Sequence, residues 1–375
     1  MSNSGMAFQQ ISEIRNQLRC LGARPAHEQR ILRLWSQAKS QHSGSRPLES
    51  FMPAALRQAL PELTNSLSNL LRLQSTHPAE DGSVRWLLAL QDGQTVETVG
   101  LPRDGVCVSS QVGCAVGCVF CMTGKEGLIR QVGSAEIVAQ VAFARLHRAV
   151  KKVVFMGMGE PAHNLDNVLE AIEVLGTVGN IGHKSLVFST VGDSRVFERL
   201  PLGLVKPALA LSLHSTRADL RTELLPRAPK MTPEELVEAA EIYAQQTGYP
   251  IQYQWTLLEG VNDTQEEIEG IVRLLKGKYA LLNMIPYNSV DDLPFRRPSW
   301  ERAAEIARTL HRQGILTKLR NSAGQDVEGG CGQLRARHLQ AESSSNQRNL
   351  SKPLRTLKAI EAPLHFVKAK PATFL

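Results

Sequence analysis

From Val106 to Leu319 short apolar runs alternate with amphipathic stretches, and this alternation restricts the chain to parallel strands joined by helical crossovers. Strands are expected at Val106–Ser109, Lys152–Met156, Ser185–Thr190, Ala208–Leu213, Ile251–Leu257, Ala280–Ile285 and Ile315–Leu319. Helices are expected near Ala135–His147, Leu165–Leu175, Pro233–Gln246, Thr264–Leu275 and Trp300–Gln313. One helix start is explicit: Thr232 can cap, Pro233 fits the first helical position, and Glu235 stands three residues after the cap. About six strand-helix units make an α/β fold, an incomplete (β/α)6 barrel whose working residues lie at the C-terminal strand ends. A doubly wound open sheet is the alternative, but no Gly-rich dinucleotide fingerprint follows the first strand.

The core is expected over residues 104–334. Before it, residues 1–80 read as a helical, basic segment, with Ile11, Ile14 and Leu18 at helical spacing and a second helix over Pro53 to Leu73. That segment is either an RNA-docking domain or a helical cap on the core. Residues 81–103 read as a β-hairpin turning at Asp92-Gly93, since both residues tolerate positive φ. Residues 335–375 form a basic tail; from Gly332 onward eight Lys or Arg face two Glu, a net of +6 in a chain of +7. Such a tail attracts polyanions, because each neutralised phosphate releases condensed counterion; a solvated tail without a partner is the alternative.

No apolar run reaches the roughly 18 residues that span a bilayer, and Met1-Ser2-Asn3-Ser4-Gly5 lacks the pattern of a secretory signal. A cytoplasmic protein with no membrane partner is therefore expected. Six cysteines are too few for a disulfide scaffold, and three of them fall within eight positions, Cys114-Ala115-Val116-Gly117-Cys118-Val119-Phe120-Cys121. Three thiolates hold three irons of a cubane and leave the fourth open to a small molecule. Structural zinc is the alternative, but it needs a fourth ligand and no second Cys or His pair stands nearby.

This spacing, with an aromatic residue before the last cysteine, resembles radical S-adenosylmethionine enzymes, and Cys107-Val108-Ser109-Ser110-Gln111-Val112-Gly113-Cys114 resembles the RlmN/Cfr-type RNA methyltransferases. The resemblance runs from about Thr95 to Leu334 through several motifs in order. It implies one four-iron four-sulfur cluster on Cys114, Cys118 and Cys121. It implies S-adenosylmethionine contacts at Gly159 and Glu160 of Gly157-Met158-Gly159-Glu160-Pro161, at Ser189, at Ser212-Leu213-His214 and at Asn288. It also implies a methyl-carrying Cys331 in Gly329-Gly330-Cys331-Gly332, a resolving Cys107, and Glu97 as proton acceptor. Cys20, outside the matched region, reads as a small buried hydrophobe.

Adenine carbon 2 is not nucleophilic, so its methylation requires a radical route. The resemblance implies two S-adenosylmethionine molecules per turnover: one methylates the Cys331 thiolate, and the other is cleaved by an electron from a reducing donor to activate that methyl group. Addition to the ring, loss of the ring proton to Glu97 and attack of Cys107 on Cys331 would then release methylated RNA and leave a disulfide. The expected partner is structured RNA, ribosomal, transfer or both, and not DNA. Methylation at adenine carbon 8 uses the same residues and stays open, as does a non-catalytic iron-sulfur protein that binds RNA as a redox sensor.

Overall fold

The computed structural model describes residues 8–288, 293–320 and Arg335. Cys331 and the basic tail beyond Arg335 lie outside the described residues. The N-terminal segment folds as α1 (Ile11–Cys20), α2 (Pro25–Ser36) and α3 (Ala54–Ser68), followed by β1 (Leu71–Pro78), β2 (Val84–Leu90) and β3 (Thr95–Leu101). The core then runs β4 (Gly105–Cys107), β5 (Gln111–Gly113), β6 (Leu128–Gln131), α4 (Ser134–His147), β7 (Lys152–Phe155), α5 (Leu165–Thr177) and β8 (Leu186–Thr190). It continues α6 (Ser194–Arg199), β9 (Ala208–Ser212), α7 (Ala218–Leu224), α8 (Pro233–Thr247), β10 (Ile251–Leu257), α9 (Gln265–Leu275), β11 (Ala280–Pro286), α10 (Trp300–Arg312) and β12 (Thr317–Leu319).

Ten strands form one mixed sheet in the order β1-β2-β3-β4-β7-β8-β9-β10-β11-β12, and β5 pairs separately with β6. Neighbours from β4 through β12 are parallel, while β1 to β4 pair antiparallel. Six strand-helix units followed by a last strand make the expected incomplete barrel. The capping predicted for α8 is present: Glu235 N donates to Thr232 Oγ1 at 3.1 Å and Thr232 N to Glu235 Oε2 at 2.8 Å.

Strand register sorts side chains onto two faces. Phe155, Phe188, Leu211, Tyr253, Trp255 and Met284 belong to the main core, which also holds apolar residues of the crossover helices. Val187, Ala208 and Ala210 form a separate inner cluster with Val154 and Met156. Pairing of Cys107 with Val154, Val154 with Val187 and Val187 with Ala208 puts Cys107 on that inner face. Ser189 and Ser212 share it by their spacing of two and four residues along β8 and β9.

The N-terminal segment caps the core and shares its apolar interior. Ile11, Ile14 and Leu18 of α1, with Leu56, Leu60 and Leu63 of α3, join the cluster that contains Trp86 and the barrel strands. Ile11 N donates to Ser134 Oγ at 2.8 Å and Ala135 N to Gln9 O at 2.9 Å, so α1 is fastened to the start of α4. Two expectations are corrected: Cys20, expected to be buried, is exposed at the end of α1, and the helix predicted to Leu73 ends at Ser68, with Leu71 to Pro78 a strand on β2. Thr64 and Ser68 hydroxyls turn back onto Leu60 O and Thr64 O in the last turn. Pairing with β2 then satisfies backbone groups that a further helical turn would otherwise have used.

Because these helices share one core with the barrel, Ile14→Ala should lower the stability of the whole protein by about 3 kcal/mol. Denaturant unfolding followed by circular dichroism should show one displaced transition, with no separate early loss of the N-terminal helices.

Candidate active site

The three-cysteine loop is an insertion between β5 and β6, closed by glycines that bring its two sides together. Gly113 has φ +76, and a Cβ there would stand 2.0 Å from Gly127 O. Farther out, a Cβ on Gly124 would stand 2.8 Å from Gly117 Cα, so the loop is folded flat on itself. Its backbone docks on α7 and the chain just beyond: Val119 N donates to Leu224 O at 3.1 Å and Arg227 N to Val116 O at 3.3 Å. Val116, Cys114, Cys118 and Phe120 pack with Val191, Leu224, Leu258 and Tyr287 in an apolar patch just past strands β8, β10 and β11. The cysteines thus lie over the C-terminal mouth of the barrel.

Burial pushes the Cys114 thiol up to about 11 and raises Cys118 well above its ordinary value, with neighbouring Cys121 and Cys114 adding to the latter. Cys121 is close enough to both to act on them electrostatically, so the three sulfurs are neighbours. Among the described residues no three His, Cys, Asp or Glu side chains close on a single ion. A cubane instead places each thiolate on a different iron. Three thiols in an apolar, glycine-cradled loop beside the Arg221 cation fit such an anionic cluster.

Glu160 lies in the loop after β7 and is buried. Its Oε1 accepts from Ala162 N at 3.0 Å and its Oε2 from Val191 N at 2.9 Å, bridging the ends of β7 and β8. Burial outweighs these bonds and pushes the carboxyl up to about 7. Gly159, at φ +101, sits against Gln111, whose Oε1 accepts from Glu160 N at 2.7 Å.

His214, just past β9, also holds a positive φ of 59°. Its Nδ1 accepts from Thr256 N at 3.0 Å, which leaves the proton on Nε2, and its ring meets Phe120 edge-on at 5.0 Å. Burial, then the Arg221 cation, pulls it down to about 3, so it is neutral at physiological pH. Leu213 is fully buried, with its N on Gln254 O. Asn288 follows β11 with its Nδ2 buried and unpaired. Cys114, Cys118, Cys121, Gly159, Glu160, Ser189, Ser212, Leu213, His214 and Asn288 thus gather at one mouth.

Cys107 and Glu97 occupy the flank where the hairpin strands meet the barrel. Cys107 pairs with Val99, two residues from Glu97, so both side chains share the inner face. Cys107 is buried and pushed up to about 11, chiefly by burial, and it feels both Arg85 and Glu97. Arg85 Nη1 lies 3.4 Å from Glu97 Oε2, and both side chains are almost wholly buried. Arg335 N donates to Glu97 Oε1 at 3.1 Å.

Several contributors escaped the sequence reading. Arg221 of α7 donates to Val191 O and, at 3.3 Å, to Ser212 O; burial pulls it down to about 10, while Cys118 and Glu160 oppose that fall. Ser109 donates to Glu97 O at 2.6 Å and accepts from Met158 N at 2.9 Å, linking the hairpin to the Gly159 loop. Asn283, level with Ser212 through Gln254, has neither amide atom paired. No local pattern marks these residues, because each acts through partners far along the chain.

Gly159→Ala would drive a Cβ to 2.5 Å from the Gln111 side chain at a φ that disfavours side chains, so it should cost about 2 kcal/mol or more in chemical unfolding. Gly182→Ala meets nothing within 4 Å at ordinary φ and should be neutral or stabilising by up to about 1 kcal/mol. Equal effects of the two would contradict the close approach described here.

Comparison with known proteins places this geometry. Residues 108–275 match the radical SAM superfamily. A probable RNA methyltransferase of Leptothrix cholodnii is 73% identical over 329 residues, covering 88% of this chain and 95% of that protein. Another, from Pseudomonas aeruginosa, is 64% identical over 330 residues, covering 88% and 95%. The crystal structure of a radical SAM methyltransferase from Sphaerobacter thermophilus superposes with a TM-score of 0.75 at 33% identity, over 88% of this chain and 98% of that one. With this identity spread over most of both chains, the protein belongs to the radical S-adenosylmethionine superfamily and, within it, to the family of these probable RNA methyltransferases.

Proposed function

We propose that the protein methylates a ring carbon of adenine, carbon 2, in ribosomal or transfer RNA, with Cys331 carrying the methyl group and Cys107 resolving the product. In this reading Cys114, Cys118 and Cys121 hold one four-iron four-sulfur cluster. When bound, the cluster and two S-adenosylmethionine molecules per turnover supply the methyl group and the radical that activates it, with electrons from an external donor.

The chain's own residues prepare that chemistry. Glu160, poised near pH 7, receives the ammonium group of the amino-acid moiety, and the cation holds the carboxylate ionised. Gly159 offers backbone at close range. His214 remains neutral with Nε2–H as a donor, while Ser189, Ser212, Leu213 and Asn288 complete the lining. Arg221 offsets the negative charge gathered at Glu160 and the thiolates.

The observation that carries the reading is that Cys107 and Glu97 lie on one inner face, with Arg335 N fastened to Glu97. Cys331 is four residues before Arg335, and four residues span at most about 14 Å. In this reading a methyl-bearing Cys331, a proton acceptor and a resolving thiol act together. Glu97, steadied by Arg85 and the Arg335 N–H, takes the ring proton. Cys107, largely protonated at neutral pH in the resting protein, needs a partner to draw off its proton before it attacks Cys331.

This assignment makes the two cysteines unequal. Cys331→Ala should leave RNA unmodified and free of protein. Cys107→Ala should accumulate a protein-RNA adduct that survives denaturing electrophoresis and maps to Cys331. Partial turnover in each mutant without an adduct would contradict the assignment.

A further inference from the structure

Outside the barrel, a cavity of about 280 Å³ opens between the turn after α2, the last turns of α3 and the second half of α4. Ala139, Ala142, Phe143, Leu67 and Leu146 give it apolar walls. Gln41 closes one end: its side chain is 5% exposed, its Nε2 donates to Ile31 O at 3.1 Å, and its Oε1 has no donor. An acceptor left unpaired in an apolar slot costs stability until a ligand or water supplies a hydrogen. Phe143 is braced edge-on by Trp86 at 5.6 Å and by the tilted His147 ring at 4.7 Å, so its ring is held beside the slot.

The slot shares Lys39 and Leu146 with an adjoining depression lined by Gln37, Arg145, His147, Arg148 and Asn180. Among the described residues no Asp or Glu lines either hollow. Arg145 and Arg148 donate to the carbonyls of Ser36, Val150 and Gly82, and no carboxylate among the described residues pairs with them. Leu146, at the shared wall, is 70% exposed although it is large and apolar.

An aromatic ring, an unpaired amide acceptor and an adjoining group of cations match the three parts of a nucleotide: a π-face, an exocyclic amine or ring N–H, and a phosphate. Ligand pockets begin near roughly 300 Å³, so this slot suits one heterocycle. We propose that the slot captures one unstacked base of the RNA substrate, with the adjoining cations on its phosphate; this rests on the RNA-modifying function proposed above.

The position favours an RNA nucleotide over a free mononucleotide. α4 has its first residue near the Gly159 side of the barrel and its last beside the start of β7, about 20 Å away along 14 residues. Only a ligand much longer than one nucleotide occupies the slot and the mouth together. The site would therefore contribute affinity and register without touching the reacting atoms.

The test uses the full-length, cluster-loaded protein with deproteinised ribosomal and transfer RNA from cells lacking the gene. Ala142→Leu fills the slot and should weaken RNA binding about tenfold, with the rate at saturating RNA unchanged. Gln41→Met, a second variant should the first fold poorly, should do likewise. Lys39→Gln should lower the slope of log affinity against log salt by roughly 0.7 to 0.9, and Lys39→Arg should restore it. Adenosine monophosphate at millimolar concentration should leave RNA affinity within twofold. Wild-type RNA affinity in both slot variants would overturn the proposal, as would tight binding of adenosine monophosphate that Ala142→Leu abolishes while RNA binding stays intact. Methylated adenine made by the wild type reports separately on the function itself.

Discussion

The mouth of this barrel is organised around one buried carboxylate. Glu160 takes backbone hydrogen bonds from Ala162, in its own loop, and from Val191, beyond the next strand, so it fixes the separation of two strand ends. Gln111 holds its backbone from beneath and packs on Gly159, which has no side chain to obstruct it. Arg221 reaches the same Val191 carbonyl loop from the other side and extends to Ser212. A carboxyl pushed up by burial and a guanidinium pulled down by burial thus face each other across the site beneath the cysteine loop. Burial disfavours the charged form of each group, while the opposite charge of the other favours it.

Parallel pairing explains why so many polar residues converge there. Every crossover returns the chain to the same end of the sheet, so residues separated by 30 or 40 positions recur at one level. Ser212, Gln254 and Asn283 stand in one such row. The antiparallel hairpin adds a flank that the barrel alone would lack, and through it Glu97 comes beside Cys107. Ser109 then links this flank to the Gly159 loop through two hydrogen bonds.

The barrel was legible because each strand and helix carries its own period, and the cysteine loop and Gly159-Glu160 because their chemistry is compressed into a few neighbouring residues. The strand at Leu71–Pro78 was missed since its apolar start continues the spacing of α3, and only pairing with β2 reveals it. The roles of Arg221, Ser109 and Gln111 were hidden for a different reason: each is an ordinary polar residue until the fold brings it against a carbonyl or carboxylate distant in sequence. The slot at Gln41 belongs to the same class, being assembled from three helices and a turn. Cys331 and the tail beyond Arg335 remain readings of sequence.

The most direct measurement is nucleoside mass spectrometry of ribosomal and transfer RNA from cells grown with methyl-deuterated methionine, with and without the gene. Radical activation of a methyl group on Cys331 removes one of its hydrogens, so the account predicts a gene-dependent adenosine methylated on carbon 2 whose methyl group has lost one deuterium. A gene-dependent methyl group that keeps all three, or the absence of any gene-dependent methylated adenosine, would contradict it.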